Sequence, residues 1–288
     1  MTEKRDVKSL DLSSITIMGT SISFIWAIIL SIIILIVFSF MGGFNIALGL
    51  IALAIIFGTL ILSISSYFGI SYLYNFIVKK IKKVVIEIED IDSVKSIKSI
   101  SILPFALITA IISLIIGIII YPIIFIGLSL SAMPLIQSLL VNTATQSFGL
   151  LLYQIVMLAI SPMTIVYAFV VPLLFTIIGS FVFNLIAPKV GGLKVELESC
   201  GHMTKLNSVN PINAGIITGV ILLVFGLVIG LILAIIGGNI LANLSLILIL
   251  VLGGFAGGFI YGVLSSVFYN FIANKSEEVK LELPLSQK

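Results

Sequence analysis

Charged residues are scarce in this chain of 288 residues: Asp, Glu, Lys and Arg make up 9% of it, whereas 60% is hydrophobic. A soluble domain carries about 25% charged residues. Folding alone cannot keep water away from so much apolar surface, so a soluble globular protein is excluded. The net charge of +3 is too small an excess to indicate a nucleic-acid partner.

Cysteine and histidine occur once each, as Cys200 and His202. A lone cysteine cannot form an internal disulfide, and these two residues fall short of the four ligands of a structural zinc site. A single histidine also leaves no nucleophile–histidine–acid set. The chain has no phosphate-binding motif, and its long apolar stretches contain no ionisable residue that would carry protons or coupling ions. We therefore predict no catalytic residue, no cofactor, no metal site and no enzymatic activity.

The few charged residues fall in four short segments, and three uncharged stretches lie between them, at about 12–78, 99–188 and 207–274. About 20 apolar residues cross the hydrocarbon core of a bilayer, so each stretch is long enough to cross twice. The sequence therefore predicts six spans, at about 15–40, 47–77, 102–128, 155–186, 212–236 and 245–273.

All four charged segments lie on one side of the membrane in this scheme, because two crossings return the chain to the side from which it started. The 15 basic residues all belong to these segments. The positive-inside rule makes that side cytoplasmic. We expect a multi-pass protein of the plasma membrane with both termini in the cytoplasm.

A short motif recurs at the inner end of every second span. Each copy has an aromatic residue followed by asparagine, then a lysine and a glutamate at fixed offsets. A weaker step, serine before an apolar residue, opens each copy. The asparagines are Asn75, Asn184 and Asn270, the lysines Lys80, Lys189 and Lys275, the glutamates Glu87, Glu196 and Glu282, and the serines Ser14, Ser99 and Ser208.

These copies predict three repeats, at 1–91, 92–200 and 201–288, each containing one two-span hairpin. Repeats with an even number of crossings share one orientation, so an axis along the membrane normal relates them. The predicted fold class is all-α membrane: six transmembrane helices in three pseudo-threefold helical-hairpin repeats, with short cytoplasmic β-strands.

The second repeat is longer than the others beyond the outer end of its first span. The segment 131–154 is uncharged and apolar in patches. An inserted re-entrant or interfacial element is favoured, since irregular backbone at membrane depth needs protein or water around it. The alternative is one extended fourth helix, kinked at Pro162 and Pro172.

Alternating apolar and polar residues follow each hairpin, at 84–89, 193–198 and 279–283, and a period of two is typical of a half-buried strand. The polar segments before the hairpins, at 7–12, 94–100 and 205–209, are candidate partner strands. In the second repeat, Gly191-Gly192 is predicted to turn the chain from helix to strand. We expect a small β cap, closed by the tail strand against N-terminal residues.

The pattern resembles the short actinobacterial membrane proteins that carry a two-span domain of unknown function. There, a strand with a Ser-Val step leads into a helical hairpin that ends in Tyr-Asn, then Gly-Gly and an alternating strand. The other two repeats have Lys82-Lys83 and Glu277-Glu278 in place of the Gly pair, and none has the Asp-Pro-Trp of the family's opening strand. The resemblance implies three divergent tandem copies of a fold, and no chemistry. The second repeat matches best, through Asn184, Gly191, Gly192, Leu193, Val195 and Leu197.

The repeated polar residues each admit two interpretations. The asparagines form either a constriction or ion site near the axis or structural groups that cap a helix or hydrogen-bond the adjoining strand, which is favoured. The glutamates either line a cation vestibule or, as favoured, form the solvated face of the strands. Small residues in the last span let helices approach closely, with a gating hinge as the alternative. These glycines are Gly253, Gly254, Gly257, Gly258 and Gly262.

Two functions fit these features. The first is a non-enzymatic scaffold, whose spans lie in the lipid bilayer and whose charged face docks a cytoplasmic or membrane protein. The alternative is a pore, or a pathway for lipid or small neutral solutes, along the pseudo-threefold axis. Polar residues in the spans would line such a path: Thr109, Ser113, Tyr121, Gln154, Thr176 and Ser180.

Overall fold

The computed structural model describes residues 2–42, 46–91, 94–141, 145–237 and 243–286. Within these ranges most residues are helical, and a five-residue π-helix, Leu128–Ala132, joins the third helix to the fourth. The α-helices are α1 Leu12–Gly42, α2 Ile46–Ile77, α3 Ile102–Gly127, α4 Met133–Val141, α5 Gln146–Ile160, α6 Met163–Ile186, α7 Pro211–Ile236 and α8 Leu244–Ala273.

Six of the helical segments in the described ranges are long and apolar enough to cross a membrane, which is compatible with a multi-pass membrane protein. They correspond to the six predicted spans. Two boundaries differ clearly. The third segment continues to Val141 and does not end near residue 128, and the fourth begins at Met163 and not near residue 155, because residues 155–160 belong to α5. These candidate spans are Leu12–Phe40, Ile46–Ile77, Ile102–Val141, Met163–Ile186, Pro211–Ile236 and Leu244–Ala273.

The alternative prediction, a single extended fourth helix, is wrong. Ser161 has an extended backbone (φ −66°, ψ 138°) and ends α5. The residue before a proline is driven out of the α region by the proline ring, and Pro162 follows Ser161. Pro172, in contrast, lies inside α6 without ending it. The insertion is therefore separate from α6, whereas α4 continues from α3 through the π-helix.

The insertion forms the helices α4 and α5, apart from residues 142–144, which lie outside the described ranges. The Thr145 hydroxyl donates to the Leu139 carbonyl at 2.9 Å. Leu139 is fully buried in one apolar cluster with Leu48 of α2, and the rings of Phe38 and Phe148 lie 4.4 Å apart. The insertion therefore packs against the first hairpin, and its re-entrant or interfacial position stays a prediction.

Seven antiparallel strands form one sheet, in the order β1-β3-β4-β5-β6-β7-β2. The three predicted alternating strands and their partner strands are confirmed, and the pairing of β7 with N-terminal residues is confirmed as well. The label all-α is corrected, since the sheet is larger than a few short strands. The strands are β1 Thr2–Val7, β2 Ser9–Leu10, β3 Val84–Ile91, β4 Val94–Ile100, β5 Leu193–Cys200, β6 Met203–Val209 and β7 Val279–Glu282.

The first and last strands in this order, β1 and β2, are parts of one N-terminal segment, so the sheet is closed. One edge of that segment pairs with β3. On its other edge, Asp6 N–H donates to the Pro284 carbonyl at 3.0 Å, and Lys8 N–H donates to the Glu282 carbonyl at 2.9 Å. We call these seven strands the closed sheet.

The serine predicted to open the first repeat, Ser14, is not the counterpart of Ser99 and Ser208. Ser14 lies in α1, whereas Ser99 and Ser208 lie in strands opposite a glutamate. The first-repeat serine that faces a glutamate is Ser9, which pairs with Glu282. The error arose because Ser14-Ile15 and Ser9-Leu10 both match the short serine–apolar step.

The chain divides into two compact units. One unit comprises residues 1–14, 75–106 and 174–288 and contains the closed sheet and the hairpin of α7 and α8. The other comprises residues 15–74 and 107–173 and contains most of α1, α2 and α3 with the insertion. The three predicted repeats do not coincide with these units and stay a prediction.

Candidate functional site

The closed sheet separates apolar from charged side chains by strand alternation. On its inner side, Ile86, Ile88 and Leu283 form a buried apolar cluster. The alternate positions of β3, Glu87 and Glu89, point outward and form ion pairs. The inner face of the sheet therefore contains the apolar core, and most of the charged side chains lie on the other face.

The closed sheet and its margins contain eight ion pairs among the described residues, six of them on the outer face or beside it. The other two, Arg5–Glu3 and Lys95–Asp90, stand in register on the side of Ile86 and Ile88. Exposed pairs of this kind contribute only about 0–1 kcal/mol each, so they fix side-chain positions more than they stabilise the fold. The pairs are Lys4–Glu87, Arg5–Glu3, Lys8–Glu282, Lys83–Asp6, Lys95–Asp90, Lys98–Glu89, Lys205–Glu278 and Lys280–Glu277.

Two of the three predicted glutamates share one environment. Glu87 accepts from the Ser99 hydroxyl at 2.7 Å and lies 3.1 Å from the Lys4 amine, and these contacts lower its pKa. Glu282 lies 2.6 Å from the Lys8 amine and accepts from the Ser9 hydroxyl at 2.9 Å, and its pKa is lowered by Lys8 first and then by Ser9.

The third glutamate, Glu196, is exposed and lies opposite Ser208 in the register of β5 and β6. It therefore occupies the position that Glu87 and Glu282 occupy against their serines. All three glutamates lie on the strands, as the sequence placed them.

The three asparagines each hold both backbone groups of one strand residue. Asn75 Oδ1 accepts from Leu10 N–H, and its Nδ2 donates to the Leu10 carbonyl, both at 2.7 Å. Asn184 forms the same pair of bonds with Ile100 at 2.8 and 2.9 Å, and Asn270 with Val209 at 2.8 and 2.9 Å. Each amide thereby ties the end of one helix to the strand that precedes its hairpin.

The residue after each of these strand residues forms a second recurrent bond. Asp11 N–H donates to the Lys280 carbonyl at 3.0 Å, Ser101 N–H to Val85 at 2.8 Å and Asn210 N–H to Lys194 at 2.9 Å. Each donor stands at the start of one hairpin, and each acceptor lies in the strand that follows another hairpin. Two sets of backbone bonds therefore link the hairpin ends through the closed sheet.

The turn predicted at Gly191-Gly192 is confirmed by positive φ angles of 85° and 82°. Gly192 N–H donates to the Ala187 carbonyl at 2.6 Å, closing the end of α6. A Cβ on Gly192 would lie 1.8 Å from the Ser96 hydroxyl oxygen, so this position also needs glycine for space.

The turns after α2 and α8 follow their hairpins at the same position as the turn after α6. The three turns differ in charge. Residues 78–83 contain four lysines and no acid, residues 187–192 contain one lysine, and residues 273–278 contain one lysine and two glutamates. The Lys80 and Lys275 amines lie over the rings of Phe76 and Phe271, each 4.4 Å from the ring centre.

The lysine-rich turn borders a cavity of about 410 Å³ at the end of α2. This cavity is not among the sites predicted from the sequence, although the run of lysines after the second span indicates a positively charged site there. It is lined by Lys8, Ser9, Asn75, Val78, Lys79, Lys83 and Glu282.

The glycines of α8 fall into two groups. Gly254, Gly258 and Gly262 face the backbone of α7, and a Cβ on them would lie 2.5–2.8 Å from its carbonyl oxygens. For Gly253 and Gly257, nothing in the described part of the chain lies within 4 Å of such a Cβ. The packing role predicted for all five therefore does not hold for these two, because they lie on another face of the helix.

Two of the polar residues proposed to line a path lie in one cavity. Ser113 and Tyr121 line a cavity of about 280 Å³ with Ser66 and Thr164. Thr176 and Ser180 belong to the other compact unit.

Cys200 ends β5 beside the turn at Gly201 and is exposed. Among the described residues, no group of three or more His, Cys, Asp or Glu side chains could hold a metal ion.

Comparison with protein-family models, curated proteins and solved structures finds no match to this chain.

Proposed function

We propose that the protein is a multi-pass, non-enzymatic scaffold of the plasma membrane. The helices anchor it in the bilayer, and the outer face of the closed sheet docks a protein partner on the cytoplasmic side.

The observation that carries this proposal is the closure of the sheet with charge on its outer face. A free strand edge has unpaired backbone groups, to which a partner could add a strand. Here the N-terminal segment is paired along both edges, so a partner must recognise side chains. The ion pairs on that face hold the charges in fixed positions, which suits recognition by charge complementarity.

The scaffold is proposed to consist of three hairpins around an axis along the membrane normal, as three divergent copies of a two-span domain. Support comes from the cyclic order of the contacts. Each asparagine binds the strand before its own hairpin, and each hairpin start binds the strand after another. The chain ends complete the cycle through the pairing of β7 with β2.

The cytoplasmic position of the sheet rests on the positive-inside rule. Cys200 is the only cysteine of the chain and is exposed at the end of β5, so it is a natural reporter of sidedness. A membrane-impermeant maleimide should leave Cys200 unmodified in intact cells and label it in inverted vesicles. Labelling in intact cells would refute the orientation.

Docking is tested with a photo-crosslinking amino acid in native membranes. The probe replaces Glu196, which is exposed on the outer face, and a matched control probe replaces Ile249, which is exposed on α8. We expect one defined protein adduct at position 196 and none at 249, and we expect Glu198→Lys to abolish the adduct without changing expression. Failure to obtain an adduct at position 196 would refute the scaffold.

A pathway for lipid or small neutral solutes is the second candidate, and the cavity lined by Ser66, Ser113, Tyr121 and Thr164 favours it. The purified protein in liposomes provides the test. Dye release or lipid scrambling that Ser113→Leu suppresses would support a pathway. Tight vesicles with unscrambled lipid would exclude it.

A further inference from the structure

The turn that follows α2 differs in charge from its two counterparts. Its lysines are Lys79, Lys80, Lys82 and Lys83, whereas the turn after α8 combines Lys275 with two glutamates. A stabilising role common to the three turns would not require this difference. The excess of positive charge at one turn points to a ligand bound there.

Of the three lysines that line the cavity, Lys8 and Lys83 form ion pairs with Glu282 and Asp6, and Lys79 forms none with an acid of the described residues. Lys79 is exposed and lines the cavity of about 410 Å³. No acidic side chain of the described residues lies within 4.0 Å of its amine. Its charge is therefore available to an anion that enters the cavity.

The acidic side chains near the cavity already form ion pairs with lysines. Glu282 is held by Lys8 and Ser9, and its lowered pKa keeps it ionised. Asp6 is buried and lies 3.1 Å from the Lys83 amine. Three lysines and one glutamate thus line the cavity, which leaves its lining with net positive charge.

The cavity lies at the end of α2, which indicates the depth of its ligand in the membrane. It includes Asn75 near the end of α2 and Val78 just beyond Ile77, where this uncharged helix of 32 residues ends. The phosphates of lipid headgroups lie at the end of such a span. A cluster of lysines directly after a span attracts anionic lipid, at about 1 kcal/mol for each lysine.

We propose that this cavity binds the phosphate of an anionic phospholipid headgroup, with Lys79 as its main cationic contact. The site rests on the proposed membrane position of the closed sheet and adds a specific lipid to the scaffold. Free phosphate shares the chemistry, and the experiment must separate the two sources.

The test compares lipid binding by the full chain in detergent micelles, measured by native mass spectrometry with added phosphatidylglycerol or phosphatidylcholine. Lys79→Gln breaks no ion pair, so the fold should be retained. We expect it to weaken phosphatidylglycerol binding about fivefold, and Lys79→Gln/Lys82→Gln about 30-fold. Lys275→Gln, at the corresponding turn of α8, is the matched control and should leave binding unchanged.

Two outcomes would overturn the site: equal phosphatidylglycerol binding by wild type and the double variant, or equal loss in the Lys275→Gln control. Inorganic phosphate is the second arm. Displacement of the lipid by millimolar phosphate, with phosphate bound in its place, would assign the cavity to a soluble ligand and refute the lipid.

The proposed scaffold is tested separately in the same variants. An unchanged crosslink at position 196 together with lost lipid binding keeps both proposals. No crosslink at position 196 in the wild type, together with phosphatidylglycerol binding that Lys79→Gln weakens, refutes the scaffold alone.

Discussion

The side-chain amide of Asn75 binds both backbone groups of Leu10, with its oxygen and its nitrogen each 2.7 Å from their partners. Leu10 pairs with Leu281 of β7. The asparagine thus occupies the place of a further strand and satisfies backbone groups that would otherwise lack a partner. Ile100 and Val209 are held in the same way.

Replacing Asn75 with Asp should destabilise the protein although the two side chains have nearly the same shape. A carboxylate still accepts from Leu10 N–H, but it cannot donate to the Leu10 carbonyl and repels it. Leaving a partly buried backbone group unsatisfied costs about 1–3 kcal/mol. Thermal unfolding in detergent, followed by loss of the monodisperse gel-filtration peak, measures the effect.

The control for this substitution is Asn274→Asp, an exposed asparagine at the end of α8. It should leave the melting temperature unchanged, whereas Asn184→Asp and Asn270→Asp should lower it as Asn75→Asp does. Equal melting temperatures for Asn75→Asp and Asn274→Asp would contradict the role of the amide.

The strands after each hairpin were predictable from sequence, whereas the closure of the sheet was only partly so. Alternation at Val84–Glu89 reports one buried face directly. The segment Thr2–Asp6 is polar throughout, so it lacks the alternation of apolar and polar residues that would predict a strand. It is nevertheless a strand, because it pairs with β3 on one edge and with C-terminal residues on the other. The Asn75–Leu10 pair joins residues far apart in the chain, and no local pattern identifies such a partner.

The boundary of the fourth span illustrates a further limit of composition. Residues 155–160 are as apolar as a membrane span, so hydropathy alone joined them to α6. The separation depends on Ser161, whose backbone conformation is set by the ring of Pro162. The backbone conformation of Ser161 therefore sets the boundary between α5 and α6, and the hydropathy of the surrounding residues does not reveal it.

Gly192→Ala should destabilise the turn after α6 more than Gly201→Ala destabilises the turn after β5. Both glycines have positive φ, which costs about 1–2 kcal/mol for alanine. Only Gly192 also meets the Ser96 hydroxyl, and overpacking adds about 1–3 kcal/mol. Melting temperatures of the two variants in detergent give the comparison.

A second variant separates strain from overpacking at this turn. Adding Ser96→Ala to Gly192→Ala removes the clashing oxygen and should restore part of the lost stability, while the strain of the positive φ remains. No recovery in the double variant would show that Ser96 does not set the cost.

Acid should destabilise the closed sheet through Glu87 and Glu282. Both carboxyls have pKa values lowered from 4.5, Glu87 by Ser99 and Lys4, and Glu282 by Lys8 and Ser9. Between the lowered pKa and 4.5, the unfolded chain binds more protons than the folded one, so stability falls as the pH falls. Melting temperatures should therefore decrease below about pH 4.5 and level off once both carboxyls are protonated.

Lys8→Gln is the informative variant for this pH dependence. It removes the main cause of the lowered pKa of Glu282, so the decrease in melting temperature on acidification should become smaller. A wild-type pH profile in Lys8→Gln would mean that the Lys8–Glu282 pair does not contribute to acid sensitivity.

Alanine substitutions along α8 should separate its glycines by face. At Gly258, a methyl group would lie 2.8 Å from the Thr218 carbonyl oxygen and 3.0 Å from Gly219 Cα, so α7 must move away, at a cost of about 1–3 kcal/mol. At Gly257, nothing in the described chain lies within 4 Å, and alanine gains up to about 1 kcal/mol of helix propensity. Gly258→Ala and Gly262→Ala should lower the melting temperature, while Gly253→Ala and Gly257→Ala should leave it equal or raise it. Equal effects on both faces would mean that the close approach of α7 and α8 does not determine the stability of this hairpin.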